Sequence, residues 1–89
     1  MKPLRPQATL KEILEAIIDE MVEKGIFWHE ASAQFEKLFV IRALVQNQGN
    51  LSRAADTMGV HRNTLTKKVR QYRIDRSKYR GAKVEKLKV

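Results

Sequence analysis

Polar and basic side chains crowd the stretch from Arg62 to Arg70, where single apolar residues recur at regular intervals. Leu65, Val69 and Tyr72 stand at i, i+4 and i+7, the spacing of one narrow stripe on a helix. Guanidinium, ammonium, amide and hydroxyl groups on the opposite face can donate hydrogen bonds to phosphates and to the edges of nucleic-acid bases. The residues that face away from the stripe are Arg62, Asn63, Thr64, Thr66, Lys67 and Arg70, with Lys68 near its border.

These side chains suit different parts of a duplex. Arg62 can bond bidentately to guanine, and Asn63 can pair with adenine or bind a phosphate. Thr64 and Thr66 can reach either a base or a phosphate oxygen. We therefore expect a recognition helix over about 62–73 in the major groove, with its first residues at the base edges. The charged donors that suit phosphates are Lys67, Lys68 and Arg70.

The preceding residues predict a second short helix that crosses the first closely. Asn50 is a good N-cap for the segment LSRAADTM. Ala54 and Ala55 allow another backbone to approach, which a leucine at either position would block. Gly59 then ends the helix, and the break from Gly59 to His61 has the length of the turn in a helix-turn-helix. The pattern therefore predicts a helix-turn-helix.

Free backbone N–H groups at the starts of both helices can also bind phosphates. Asn50 and Ser52 lie where the first of these starts would meet the nucleic-acid backbone, although Asn50 is a cap before it is a contact. His61 is interpreted as an exposed helix start and not as a metal ligand, because His29 is the only other histidine. The candidate DNA-binding residues are Asn50, Ser52, Arg53, His61, Arg62, Asn63, Thr64, Thr66, Lys67, Lys68 and Arg70.

The net charge of +8 is placed unevenly along the 89 residues. Residues 1–49 hold six basic and seven acidic residues, a net charge of −1, whereas residues 50–89 hold twelve and three, a net charge of +9. Such asymmetry indicates a polyanionic partner, nucleic acid before membrane. Basic charge alone could merely keep a small protein soluble. A membrane-surface helix would need a broader apolar face than the recognition helix has.

The first half of the chain predicts two helices. Thr9 and Glu12 form the T-x-x-E capping box of the first helix, and Gly25 is suited to its end. Its apolar residues all follow the i, i+3, i+4, i+7 spacing of an amphipathic helix. They are Leu10, Ile13, Leu14, Ile17, Ile18, Met21 and Val22. The second helix starts somewhere from Ile26 to Ser32.

The second helix carries too wide an apolar arc for a helix with one buried stripe. The first helix can cover only one side of it, so the C-terminal helices, a second copy of the chain, or both must cover the rest. A bundle of the same two helices from two subunits would do so, and we expect a homodimer. The apolar arc comprises Phe35, Leu38, Phe39, Val40, Ile41, Ala43, Leu44 and Val45.

The fold class expected from these patterns is all-α, with four helices per chain. The chain divides into a flexible lead (1–8), dimerisation helices (9–48), a helix-turn-helix DNA-binding unit (49–75) and a basic tail (76–89). The tail holds six basic residues and one acid. It is either an arm that adds phosphate contacts or a disordered, solubilising end.

Several function classes find no support in the sequence. Cysteine is absent, so neither disulfides nor thiolate metal sites are expected. No phosphate loop or nucleophile motif is present, so we expect no enzyme, no cofactor and no small-molecule substrate. No apolar run approaches the roughly 18 residues of a membrane span, and no leader segment opens the chain. We expect a soluble, cytoplasmic protein.

The segment GNLSRAADTMGVHRNTLTKKVRQY resembles the C-terminal helix-turn-helix of the Fis family, the factors for inversion stimulation. It also resembles the module that ends nitrogen-regulator-type enhancer-binding activators. The resemblance is strong over residues 35–74 and weaker over the first helix. The shared elements are Gly49-Asn50, Ala54-Ala55, Gly59-Val60, Arg62, Thr64-Leu65, Lys67-Lys68 and Tyr72.

The resemblance implies a homodimer whose two N-terminal helices intertwine with those of the partner. The two recognition helices would lie closer than one DNA turn, so the DNA must bend and narrow its minor groove. Selectivity would then come largely from deformability of the DNA, in a nucleoid-associated setting. The DNA contacts carried over by the family motif are Asn50, Ser52, Arg62, Thr64, Lys67 and Lys68.

The sequence departs from the family pattern at three positions. His61 replaces the usual Asn or Ser, and Thr66 stands where many members have a basic or aromatic residue, so the base preference stays open. Arg73 takes the place of a frequent glycine after Tyr72, so the recognition helix can end differently. The lead is too short for the arms that stimulate a recombinase, and that activity is not carried over. The alternative function is an RNA-binding or partner-docking basic helical module.

Overall fold

A computed structural model describes residues 7–81, and every regular element in that range is helical. Four α-helices confirm the expected class, and the second begins at Trp28, inside the predicted window. Residues 1–6 of the predicted lead and 82–89 of the predicted tail lie outside the described residues. The elements are α1 (Leu10–Glu23), α2 (Trp28–Gln46), α3 (Leu51–Met58), α4 (Arg62–Gln71) and one turn of 3₁₀ helix (Arg76–Tyr79), the C-terminal turn.

The described residues fall into two compact units, 7–33 and 34–81. In the first unit, α1 starts at the predicted capping box. The backbone N–H of Glu12 donates to Thr9 Oγ1 at 3.1 Å, and the Thr9 N–H donates to Glu12 Oε1 at 3.3 Å. The helix stops at Gly25, which has φ +71°, and the Ile26 N–H donates back to the Met21 carbonyl at 3.0 Å. Both predicted boundaries of α1 are therefore confirmed.

The apolar stripe of α1 is open to solvent. No residue of α1 is buried within the described part of the chain, and Leu10 and Val22 are 81% and 71% exposed. Phe27 and Trp28 at the start of α2 are also exposed. Large apolar side chains that are exposed in this number are typical of an interaction surface.

The core of the second unit joins α2, α3 and α4. Val40 and Leu44 of α2 and Leu65 of α4 are completely buried. Ala54 and Ala55 lie in the same cluster and are 0% and 2% exposed, so the small residues of α3 permit the predicted close approach. Side chains around the cluster are half-buried and complete the packing. They are Met58, Val60, Val69, Ile74 and Tyr79.

Gly49, between α2 and α3, is required for two reasons. Its φ of +78° is in the left-handed region that favours glycine. A Cβ atom at this position would also lie 2.7 Å from the carbonyl oxygen of Arg76. The C-terminal turn therefore packs directly on the Gly49 backbone, and Tyr79 packs against the core. The sequence pattern does not predict this ordered turn at the start of the basic tail.

The recognition helix ends two residues earlier than the predicted limit of about 73. Arg73, at φ +52°, adopts the left-handed conformation that glycine usually provides. The N–H of Ile74 donates to the Val69 carbonyl at 3.0 Å, which satisfies the end of the helix. The reversal turns Ile74 towards the core cluster, where it is half-buried. Burial of Ile74 offsets the strain at Arg73.

Replacing Ala54 by leucine should lower the free energy of unfolding by about 1–3 kcal/mol, because the added carbons have no space in the packed cluster. Urea unfolding at one fixed protein concentration measures the change. Arg53→Leu, at the exposed neighbouring position of α3, is the control and should stay within about 0.5 kcal/mol of the wild type. Equal stability of the two variants would contradict the close helix crossing.

Candidate nucleic-acid interface

The start of α4 is fixed by His61. Its backbone is extended, and its Nδ1 atom accepts a hydrogen bond from the Asn63 N–H at 3.0 Å. His61 is therefore the N-cap of the recognition helix, and its imidazole is exposed as predicted.

One side of α4 is attached to the protein and the other is open. Leu65 is completely buried, and Val69 and Tyr72 are half-buried. This is the stripe that the sequence spacing predicts. Five of the predicted contact residues lie on the remaining surface of α4 and are exposed. They are Arg62, Asn63, Thr64, Lys67 and Arg70. An open face of this composition can donate to phosphate oxygens and to base edges.

Two predicted contact residues of α4 have partners inside the protein. The Thr66 hydroxyl donates to the Arg62 carbonyl at 2.9 Å, which leaves Thr66 Oγ1 only as an acceptor for other groups. The Lys68 ammonium forms an ion pair with the Glu36 carboxylate of α2. Both side chains are half-buried. They are less available to an external ligand than the sequence pattern suggests.

Glu36, Lys68 and Tyr72 form a polar contact between α2 and α4 that sequence reasoning missed. The hydrogen bond from Lys68 lowers the pKa of Glu36, and a further bond from the Tyr72 hydroxyl acts in the same direction. The same Glu36 bond raises the pKa of Lys68. Burial, and then the Glu36 bond, raise the pKa of Tyr72. Together with the apolar stripe, this polar contact orients α4 on α2. No local sequence signal reveals the contact.

The N-terminus of α3 contributes the second group of predicted residues. Asn50 Oδ1 accepts from the Arg53 N–H at 3.0 Å and confirms the predicted cap. Ser52 and Arg53 are exposed. The N–H groups of Leu51 and Ser52 belong to the first turn of α3, where no carbonyl of the helix can accept from them. They are available to an anion.

A polar cleft of about 360 Å³ brings the two groups together. Its walls include Asn50 and Ser52 at the start of α3 and Arg62 at the start of α4. Arg76 and Arg80 of the C-terminal segment complete it, and sequence reasoning did not single them out. The cleft is far more polar than a typical small-molecule pocket, which is mostly apolar.

The described residues lack two other features that would indicate a different function. No group of three or more His, Cys, Asp or Glu residues there could hold a metal ion. No described helix is long and apolar enough to cross a membrane.

Comparison with known proteins identifies one family. Residues 32–72 match the model described as bacterial regulatory protein, Fis family. The matched range includes most of α2, all of α3 and α4, and ends at Tyr72, so the resemblance seen in the sequence is confirmed there. The match supports a DNA-binding helix-turn-helix regulator. It gives no evidence of a catalytic activity. Neither the comparison with curated proteins nor that with solved structures found a match.

Replacing Glu36 by glutamine should remove one component of the acid sensitivity of folding. The pKa of Glu36 in the folded state lies below the ordinary value of 4.5. The ion pair therefore stabilises the fold fully above pH 4.5, and this stabilisation is lost as the pH falls through the lowered pKa. Urea unfolding at neutral pH and in steps below pH 4.5 should show a smaller fall in stability for the variant.

Asp56→Asn, which removes an exposed carboxylate from α3, is the control for this measurement. A pH profile of Glu36→Gln that runs parallel to the wild type would show that the Glu36–Lys68 pair does not stabilise the fold.

Proposed function

Because residues 32–72 match the model of the Fis family of bacterial regulatory proteins, we propose that the protein binds double-stranded DNA with little sequence selectivity. It acts as a dimeric transcriptional regulator or as a DNA-bending, nucleoid-type factor in the cytoplasm. The observation that carries the proposal is the division of α4 into a side held by Leu65 and an opposite, exposed cationic side. Helix α4 enters the major groove with this exposed side.

The position of each side chain on α4 supports a distinct role. Arg62 and Asn63 occupy the first two positions of the helix and are exposed, so they meet base edges. Lys67 and Arg70 lie farther along and bind phosphates. Lys68 reaches a phosphate only by exchanging its contact with Glu36 for one with DNA. Thr64 accepts or donates at the border between bases and backbone, and Thr66 accepts there.

A second copy of this chain covers the exposed apolar surface. Phe35 and Phe39 of α2 remain about half exposed, and their rings lie 5.8 Å apart. These rings are apolar area that a monomer would leave in water, and the open stripe of α1 is apolar area of the same kind on the first unit. Burial of apolar area contributes roughly 25 cal/mol per Å², which favours association with an equally apolar partner. A self-complementary contact of this kind gives a two-fold symmetric dimer.

Dimerisation explains how a short helix obtains useful affinity. Two recognition helices on one duplex double the number of phosphate and base contacts. Where their separation differs from one helical turn, the DNA must deform to meet both, and its flexibility then contributes to selectivity. The protein in this way binds many sequences and prefers those that bend at low cost.

Replacing Arg62 by alanine should weaken binding to a preferred site by roughly 1–3 kcal/mol and relax selectivity there. Replacing Lys67 by alanine should weaken binding to all sequences alike and reduce the salt slope by about 1 for each protomer on the duplex. Electrophoretic mobility shifts over a series of salt concentrations measure both effects. Equal losses on all sequences for Arg62→Ala would exclude a base contact.

Competition separates DNA binding from the alternative of a basic module for RNA or for a protein partner. Duplex DNA should displace a labelled duplex at lower concentration than RNA of equal length. No retardation of any duplex at low ionic strength, or equal competition by RNA, would refute the proposed function.

Replacing Phe39 by aspartate should dissociate the dimer and preserve the fold of residues 34–81. Phe39 is 49% exposed in the single chain, so the charge is tolerated there but not in an apolar interface. Sedimentation equilibrium reports the mass, and circular dichroism reports the helix content. Gln71→Asp adds the same charge at an exposed position of α4 and should leave the mass unchanged. A fully dimeric Phe39→Asp variant would place the interface elsewhere.

A further inference from the structure

We infer that the polar cleft between α3, α4 and the C-terminal turn binds one phosphodiester group of the DNA backbone. Arg76 and Arg80 are its new ligands, and both lie beyond the residues 32–72 that match the Fis family. The inference rests on the proposed function, and it extends the DNA interface to a segment outside the helix-turn-helix.

The two arginines are held in place by the backbone. The carbonyl of Arg76 lies so close to Gly49 that a Cβ atom there would be 2.7 Å from its oxygen. Arg76 Nη1 also donates to the Gly49 carbonyl at 3.4 Å. At the other end of the turn, Tyr79 packs against the core cluster. The C-terminal turn is thus fixed next to the start of α3. Arg76 begins this turn, and Arg80 follows Tyr79 at its end.

The charges of the cleft are of one sign. Arg76 and Arg80 contribute the guanidinium groups that bind the phosphate, Arg62 lines the cleft on the side of α4 and adds a third positive charge from its place at the base edges, and no acidic residue is among the described residues that line it. Three cations that share one cleft repel each other unless an anion lies between them. A phosphodiester oxygen matches the forked donors of guanidinium groups.

Asp75 directly precedes Arg76 in the sequence, and its carboxylate is bonded within the C-terminal turn. It lines a neighbouring cleft, which Arg76 and Arg80 also border, and it caps the C-terminal turn, with its Oδ1 accepting from the Ser77 hydroxyl at 2.6 Å and from the Ser77 N–H at 3.0 Å. These two bonds lower the pKa of Asp75, so its carboxylate is ionised and already bonded at neutral pH. Asp75 therefore shapes the turn that carries the arginines and is not their ion-pair partner in the cleft.

The position of the cleft favours a backbone phosphate of a duplex. Arg62 is the first residue of α4, so a strand that borders the groove occupied by α4 passes this point. The hydroxyl of Ser52 and the free N–H groups at the start of α3 supply further donors at the same place. A free phosphate ion shares this chemistry, and the second arm of the experiment distinguishes it from the phosphodiester.

The first arm compares Arg80→Gln with Lys78→Gln in the full chain. Both variants lose one positive charge from neighbouring exposed positions, but only Arg80 lines the cleft. Loss of one charge-assisted hydrogen bond in each protomer should weaken duplex binding by Arg80→Gln roughly tenfold per protomer. The slope of log K against log salt should fall by about 0.9 per protomer, roughly 1.8 for a dimer on one duplex, for Arg80→Gln and change less for Lys78→Gln. Equal slopes and affinities for the two variants would overturn the inference.

The second arm replaces single phosphates of the duplex by uncharged methylphosphonates. At one position the replacement should weaken binding of the wild type and leave binding of Arg80→Gln nearly unchanged, because both changes remove the same contact. If every position affects the two proteins equally, the cleft binds no DNA phosphate and at most a free anion. Matching circular dichroism spectra and melting temperatures show that the variants are folded.

Failure of this inference is distinguishable from failure of the proposed function. Wild-type binding to duplex DNA with identical behaviour of Arg80→Gln and Lys78→Gln rejects the cleft alone. Absence of duplex binding by the wild type rejects both.

Discussion

The complete burial of Leu65 is the interaction on which the rest of the interface depends. It anchors α4 in one cluster with Leu44 of α2 and Ala54 of α3. A helix attached by so narrow a stripe exposes most of its circumference, so the cationic face of α4 is a geometric consequence of how the helix is attached. The small side chain of Ala54 matters because a larger one would displace Leu65, and with it every donor on α4.

Left-handed backbone positions determine where the helices stop. Gly25 and Gly59 adopt this conformation at little cost, whereas Gln48 and Arg73 do so with side chains that disfavour it. The cost is of order 1–2 kcal/mol for each such residue. At Arg73 the reversal returns the chain to the core and leads into the C-terminal turn. The strained residue thus connects the recognition helix to the arginines of the cleft.

Local signals predicted most of the fold, because they act within one turn of helix. The cap formed by Thr9 and the cap formed by Asn50 each involve a residue three positions away, and both are confirmed. The exposed face of α4 follows from spacing alone. The Glu36–Lys68 pair and the packing of Arg76 on the turn before α3 join residues that are distant in sequence. Periodicity carries no information about such contacts, so the sequence does not predict that Arg76 and Arg80 line the cleft.

Lys68 shows how positioning and binding compete for one side chain. Its ammonium group can orient α4 through Glu36 or neutralise a phosphate, and it cannot do both at full strength. Both side chains are about one-third exposed, so solvent and salt screen their attraction, and a duplex with its dense charge can displace the carboxylate. Before that exchange, Lys68 adds nothing to the net charge that the face presents. The number of basic residues along α4 therefore overstates the positive charge that DNA first meets. Arg76 and Arg80 add back part of that charge.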